Sequence, residues 1–145
     1  MNNLDPNKLL IVDDHQLFID GLKMVLRNVN EFNVTAEATN GKDALEIIEN
    51  NDIDLAIIDI KMPEMSGTEL TKILKQRFPE IKVLVVSSYH DEEIILEIFE
   101  AEAEGYLLKN AGKQELLLAL NKIINGGIYY SKEISEIMMK NLMQR

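Results

Sequence analysis

The sequence predicts an α/β protein: a doubly wound, five-stranded parallel sheet with helices on both faces, followed by a C-terminal linker helix. Three observations predict it. Short apolar runs alternate with longer stretches in which apolar residues recur at helical spacing. Most of the runs are apolar at every position, as strands buried on both faces of a parallel sheet must be. Gly, Pro or a capping Ser then separates one unit from the next.

The elements follow in order. "KLLIV" (Lys8 to Val12) reads as a buried strand, and Leu17, Phe18, Leu22, Val25, Leu26 and Val29 then recur at helical spacing. "FNVTAEA" alternates and reads as the second strand, after which Gly41 opens a helix carrying Ala44, Leu45 and Ile48 inward. "DLAIID" is the third strand. Ser66 then N-caps a helix that buries Leu70, Ile73 and Leu74 and that Pro79 terminates. "KVLVVSS" is the fourth strand, followed by an acidic helix around Ile94, Ile95, Ile98 and Phe99. "GYLLK" is a short fifth strand, and Leu116, Ala119, Leu120, Ile123 and Ile124 make a fifth helix that Gly126 and Gly127 end. Residues 1–127 therefore read as one domain. Residues 128–145 read as a linker helix, with Ser131 as N-cap and Ile134, Ile137, Met138 and Leu142 on one side.

A chain of 145 residues suits one domain with a real core. There is no cysteine, so disulfides and thiolate metal sites are excluded. No apolar run approaches the ~20 residues that span a bilayer, and "MNNLDPNK" lacks a signal-peptide pattern, so a cytoplasmic chain without a membrane partner is expected. The net charge of −10 argues against these residues gripping nucleic acid themselves and suits protein or cation partners. Seven acids between Asp91 and Glu104 read as a solvated helix face.

Chemistry is expected where the strands end, because ligands of open α/β sheets sit beyond the carboxyl edge. The first strand ends in Asp13 and Asp14, the third in Asp59, the fourth in Ser87 and the fifth in Lys109. Two carboxylates about 5 Å apart repel by roughly 3 kcal/mol at an effective dielectric near 20, so three of them need protons or a cation. Oxygen donors without Cys or clustered His point to Mg²⁺. A carboxylate beside Mg²⁺, with a lysine and a hydroxyl aimed at one spot, is equipped for phosphoryl transfer. The central third strand makes Asp59 the nucleophile, with Ser87 and Lys109 stabilising charge. His15, next to the acid pair, reads as a first-turn helix residue rather than a ligand.

"LLIVDDHQ", "DLAIIDIKMPEMSG", "VLVVSS" and "GYLLKN", in that order, resemble the receiver domain of two-component response regulators. "VDDHQLFIDGL" is similar to the NarL/FixJ (LuxR-type) branch in particular. The resemblance implies a flavodoxin-like fold in which Asp59 accepts phosphate from a sensor histidine kinase. It implies Mg²⁺ bound by Asp13, Asp14, Asp59 and the backbone carbonyl of Lys61, and phosphoryl contacts from Ser87 and Lys109. Ser87 and Tyr106 become the switch pair, with the aromatic turning inward on phosphorylation, and Lys61 and Tyr89 flank water's approach and tune the phosphate's lifetime. Such a domain is not a turnover enzyme; it phosphorylates and dephosphorylates only its own aspartate. Homodimerisation on phosphorylation is implied, and the acidic fourth helix makes the first and fifth helices the better contact. Transcriptional output would come from a helix-turn-helix DNA-binding domain outside this chain; the alternative is a stand-alone receiver signalling by protein contact. Glu102 departs from the pattern, standing where a small residue, often Gly, is usual.

Three rivals are weaker. A phosphatase of the haloacid dehalogenase type needs Asp-x-Asp where this chain has "DIK". A flavin carrier needs a hydroxyl- and Gly-rich phosphate loop where this chain has "DDHQ". A degenerate receiver would lack at least one of the five site residues.

Overall fold

The computed structural model describes residues 5–144; Met1–Leu4 and Arg145, at the outer ends of the two predicted segments, lie outside the described residues. The elements run β1 (Asn7–Val12), α1 (Gln16–Leu26), β2 (Phe32–Ala38), α2 (Gly41–Asn50), β3 (Leu55–Ile58), α3 (Gly67–Arg77), β4 (Lys82–Ser87), α4 (Glu92–Glu100), β5 (Gly105–Leu108), α5 (Lys113–Ile124), β6 (Tyr129–Tyr130) and α6 (Lys132–Met143). All strand pairs are parallel, in the order β2-β1-β3-β4-β5-β6. The chain leaves β1 for one edge and then crosses to β3, so the switch point lies between β1 and β3.

Alternation along each strand divides the core in two. Leu10, Val12, Ala56, Ile58, Val83, Val85 and Tyr106 face α2, α3, α4 and α6. Leu9, Ile11, Leu55, Ile57, Leu84, Val86 and Leu107 face α1 and α5. Both sets are apolar, which explains the unbroken hydrophobic runs. No helix among the described residues is long and apolar enough to cross a membrane.

The five expected strands form, and a sixth extends the sheet. Tyr129 and Tyr130 pair with Gly105 and Tyr106, a ladder too short to leave a periodic signal in sequence. The chain beyond Gly127 then packs back onto the domain. Ile134 is fully buried in the Tyr106 cluster, Tyr130 donates its hydroxyl to the Ala103 carbonyl at 2.7 Å, and Phe99 meets the Tyr130 ring edge-on at 5.8 Å. Phe99 is thus half-exposed against α6 instead of filling the sheet core. Ser66 caps α3 as expected, accepting from Glu69 N–H at 3.1 Å, whereas Ser131 precedes α6 without a side-chain capping bond. Leu17, expected inward, is 85% exposed on the outer side of α1.

Glu104 and Glu102, among the seven acids, do more than face solvent. Glu104 accepts from Val83 N–H at 2.9 Å and pairs with Lys75 Nζ at 2.5 Å, both side chains largely covered. Glu102 lies at φ 69°, in the left-handed region. It occupies the C′ position of α4: its N–H reaches Phe99 O at 2.9 Å and the N–H of Ala103 reaches Ile98 O at 3.3 Å, the paired bonds of a Schellman ending. A side chain there costs about 1 kcal/mol of strain, part of which glycine's greater unfolded-state freedom would offset. Glu102→Gly should therefore stabilise the domain by about 0.5 kcal/mol in urea unfolding; destabilisation would contradict the strain argument.

Candidate phosphoacceptor site

Each predicted site residue is held by the strand next to it. Asp13 N–H donates to Ala38 O at 3.1 Å, Asp59 N–H to Val12 O at 2.9 Å, and Lys109 N–H to Ser87 O at 2.9 Å. Backbone bonds of this kind align the ends of β1, β3, β4 and β5, and five side chains converge at the carboxyl edge. Asp13 is 1% exposed, Asp59 5% and Ser87 0%, a buried polar group that this fold must compensate.

Lys109 does much of that compensation. Its Nζ lies 2.8 Å from Asp13 Oδ2 and 3.6 Å from Asp59 Oδ2, and 4.5 Å above the Phe18 ring. Asp59 Oδ1 accepts from Ile60 N–H at 2.9 Å, which leaves Oδ2 as the oxygen facing the ammonium. Burial, and then repulsion from Asp13, push the Asp59 carboxyl above its ordinary range, with Lys109 pulling it back. The turn after Asp59 is pressed against it: Gly67 N–H donates to Ile60 O at 2.6 Å, and a Cβ on Gly67 would sit 2.0 Å from the Asp59 carbonyl oxygen.

Asp13, Asp14, His15 and Asp59 offer four ligand atoms within 4.8 Å of one another, a cluster that could hold a cation. The donor set fits a divalent ion. Asp14 Oδ1 is closed to solvent with no hydrogen bond beyond the 3.1 Å His15 Nδ1 contact, and one lysine pairs with both Asp13 and Asp59. Sequence reasoning placed His15 in a first helical turn; it is instead the extended N-cap residue of α1, with Nδ1 3.2 Å from Asp13 Oδ1 and 3.1 Å from Asp14 Oδ1. "DDH" at a helix start was the available signal.

The expected switch pair is connected through one residue between them. Tyr89 N–H donates to Ser87 Oγ at 3.1 Å, and Tyr106 Oη donates to the Tyr89 carbonyl at 2.5 Å. Tyr106 is turned inward and fully buried. α6 explains this, because Ile134 and Tyr130 close over the ring. Burial, followed by the nearby Asp91 and Asp59 charges, raises the Tyr106 hydroxyl well above its usual range, so it remains a donor. Lys61 and Tyr89 also meet, with Lys61 Nζ 4.5 Å over the Tyr89 ring.

The fold and site are those of an α/β domain with an acid–lysine–hydroxyl edge on a parallel sheet, and residues 9–121 match the response regulator receiver domain family. The chain belongs to that family, within its NarL/LuxR-type two-component branch. It is 37% identical over 138 residues to the transcriptional regulatory protein DegU of Brevibacillus brevis, covering 95% of this chain and 58% of that protein. It is 30% identical over 142 residues to the nitrate/nitrite response regulator protein NarL of Escherichia coli strain K12, covering 98% of this chain and 66% of that protein. A crystal structure of a LuxR-family two-component response regulator from Aurantimonas sp. SI85-9A1 has the same fold, with a TM-score of 0.89 at 24% identity over 95% of this chain and 99% of that one. This chain therefore spans less than two thirds of either curated relative. Domains of this family take and lose their own phosphoryl group and are not stand-alone enzymes.

Proposed function

We propose that Asp59 accepts a phosphoryl group from a sensor histidine kinase and that the phosphorylated domain switches conformation to control transcription. One observation carries this reading: the strand ends bring Lys109 within 3.6 Å of Asp59 and 2.8 Å of Asp13, with buried Ser87 closing the same edge. Asp59 Oδ2 forms the new O–P bond as the donor's P–N bond breaks, and the electron pair leaves on the imidazole nitrogen. Mg²⁺ would be held by Asp13, Asp14, Asp59 and the Lys61 carbonyl, and when bound supplies the positive charge that lets a phosphate approach three acids. The Lys109 ammonium and the Ser87 hydroxyl stabilise the equatorial oxygens. Incubation with a small acyl phosphate and Mg²⁺ should place one phosphoryl group on Asp59 by peptide mass mapping. Undiminished labelling in excess chelator, or labelling of another residue, would overturn the reading.

Ser87 drawn toward the phosphoryl group carries the Tyr89 backbone with it, and Tyr89 carries Tyr106, so the switch pair moves as one unit. In this reading the Tyr89 ring, with Lys61 Nζ over it, flanks water's approach to the acyl phosphate and slows autodephosphorylation. Tyr89→Ala should shorten the phosphate's half-life severalfold, and an unchanged decay rate would remove the lid role. A homodimer formed on phosphorylation uses α1 and α5, where Leu17, Met24 and Leu118 are exposed, whereas α4 is partly covered by α6. In this reading residues 1–127 are the receiver, and residues 128–145, packed on it as β6 and α6, lead to a DNA-binding domain outside this chain, as the matched share of the transcriptional relatives supports.

A further inference from the structure

We propose that Phe18 is a positioning residue for phosphoryl transfer: its ring face holds the Lys109 ammonium beside the strand-end carboxylates through a cation–π contact. This rests on Asp59 being the phosphoacceptor and adds a residue that the strand ends do not supply.

Lys109 is the least constrained group at this edge. A lysine stem is flexible, and its compact ammonium has no planar fork to fix its direction. From the sheet, Asp13 Oδ2 reaches Nζ at 2.8 Å and Asp59 Oδ2 at 3.6 Å. From α1, the Phe18 ring meets it with Nζ 4.5 Å from the ring centroid, inside the ~6 Å over which a π face attracts a cation. The Lys109 side chain is 18% exposed, so solvent screens that attraction little. The ring is itself held in place. Phe18 N–H donates to His15 O at 3.0 Å in the first turn of α1, and the side chain packs against the buried cluster beneath α1 and α5, whereas its neighbour Leu17 is exposed.

A π face suits this position better than a further acid would. It attracts the ammonium without adding a fourth negative charge beside Asp13, Asp14 and Asp59, where an incoming phosphate is already repelled. It also restrains the cation without the strong, directional hydrogen bond that a carboxylate lone pair would form. An ammonium has three N–H donors, so donors remain for the phosphoryl oxygens while the Asp13 pair and the ring fix where they point. The rival role for Phe18 is a plain apolar wall, in which the shape of the ring matters and its charge distribution does not.

The test places mono-, di- and trifluorophenylalanine in turn at the Phe18 position of the full chain, which drains the ring face of negative charge at nearly constant shape. With a small acyl phosphate and Mg²⁺, the maximal rate constant for Asp59 phosphorylation should fall stepwise, to about one fifth with the trifluoro ring, while the half-saturating donor concentration stays within about twofold. In ¹³C-lysine protein, the Lys109 ε-protons should be shifted upfield by the ring and should return to the ordinary lysine position in Phe18→Leu. Equal rate constants across the fluorine series, or unshifted ε-protons in the wild type, overturn the proposal. A slow Phe18→Leu beside a flat fluorine series does so too, because it leaves only shape. If Asp59 is not labelled in the wild type, the phosphoacceptor reading falls, and the ε-proton shift alone decides whether Phe18 holds the ammonium.

Discussion

Asp59→Asn should abolish phosphorylation by small acyl phosphates and, in chelator at neutral pH, raise the stability of the protein. The first effect follows from chemistry: an amide oxygen does not attack phosphorus at a useful rate, and the substitution removes the carboxylate that stands at the β3 end beside Lys109. The second follows from burial. The Asp59 carboxyl is raised in the folded protein, by desolvation first and by Asp13 second. The folded state therefore keeps this proton to higher pH than the unfolded chain does. The relative stability it gives is complete below the unfolded value and is lost as pH rises through the raised folded one. At neutral pH the ionised group is a burden that asparagine removes. The gain should shrink as pH falls through that window, and also when Mg²⁺ is restored to the wild type. Thermal unfolding in chelator across pH checks this; equal midpoints at neutral pH would contradict it.

Gly67→Ala should cost about 3 kcal/mol and depress phosphorylation in proportion to the displacement of Asp59. The new methyl would lie 2.0 Å from Asp59 O and 2.8 Å from Ile60 Cα, so backbone rather than a flexible side chain must give way. That backbone carries the acceptor carboxylate and the Ile60 N–H that holds it. Gly112→Ala is the control, because a Cβ there meets nothing within 4 Å. Urea unfolding with an unchanged m-value separates the two; similar midpoints would show that the turn after β3 relaxes freely.

Much of this was legible before the structure. β1, β3, β4 and β5 are apolar at nearly every position because both faces are covered, and the first polar residue after each run marks the edge where it ends. Periodicity needs several residues to register, so a two-residue β6 gave no signal, and neither did the return of α6 onto the Tyr106 ring. The acidic stretch read as uniformly solvated because sequence cannot show that Glu104 would find Lys75, 29 residues away. Glu102 stood out only as a departure from the usual glycine, and its positive φ supplies the reason that glycine is usual. The link from Ser87 to Tyr106 runs through the Tyr89 main chain, which side-chain identity does not encode.

β6 has a consequence for how copies of this domain can meet. Without it, β5 would present a bare rim of amide and carbonyl groups to any passing extended chain. Tyr129 N–H takes the Glu104 carbonyl at 2.9 Å and Ser131 N–H takes that of Tyr106 at 3.0 Å, after which the chain turns at once into α6. The opposite rim, β2, is seven residues long, but its register slips against β1 at Leu9/Leu10 and its outward positions carry Asn33 and Thr35. Neither rim offers a flat template for strand addition. Two copies of this sheet are thereby kept from joining rim to rim into one continuous polymer, and any contact between them is left to the helical faces.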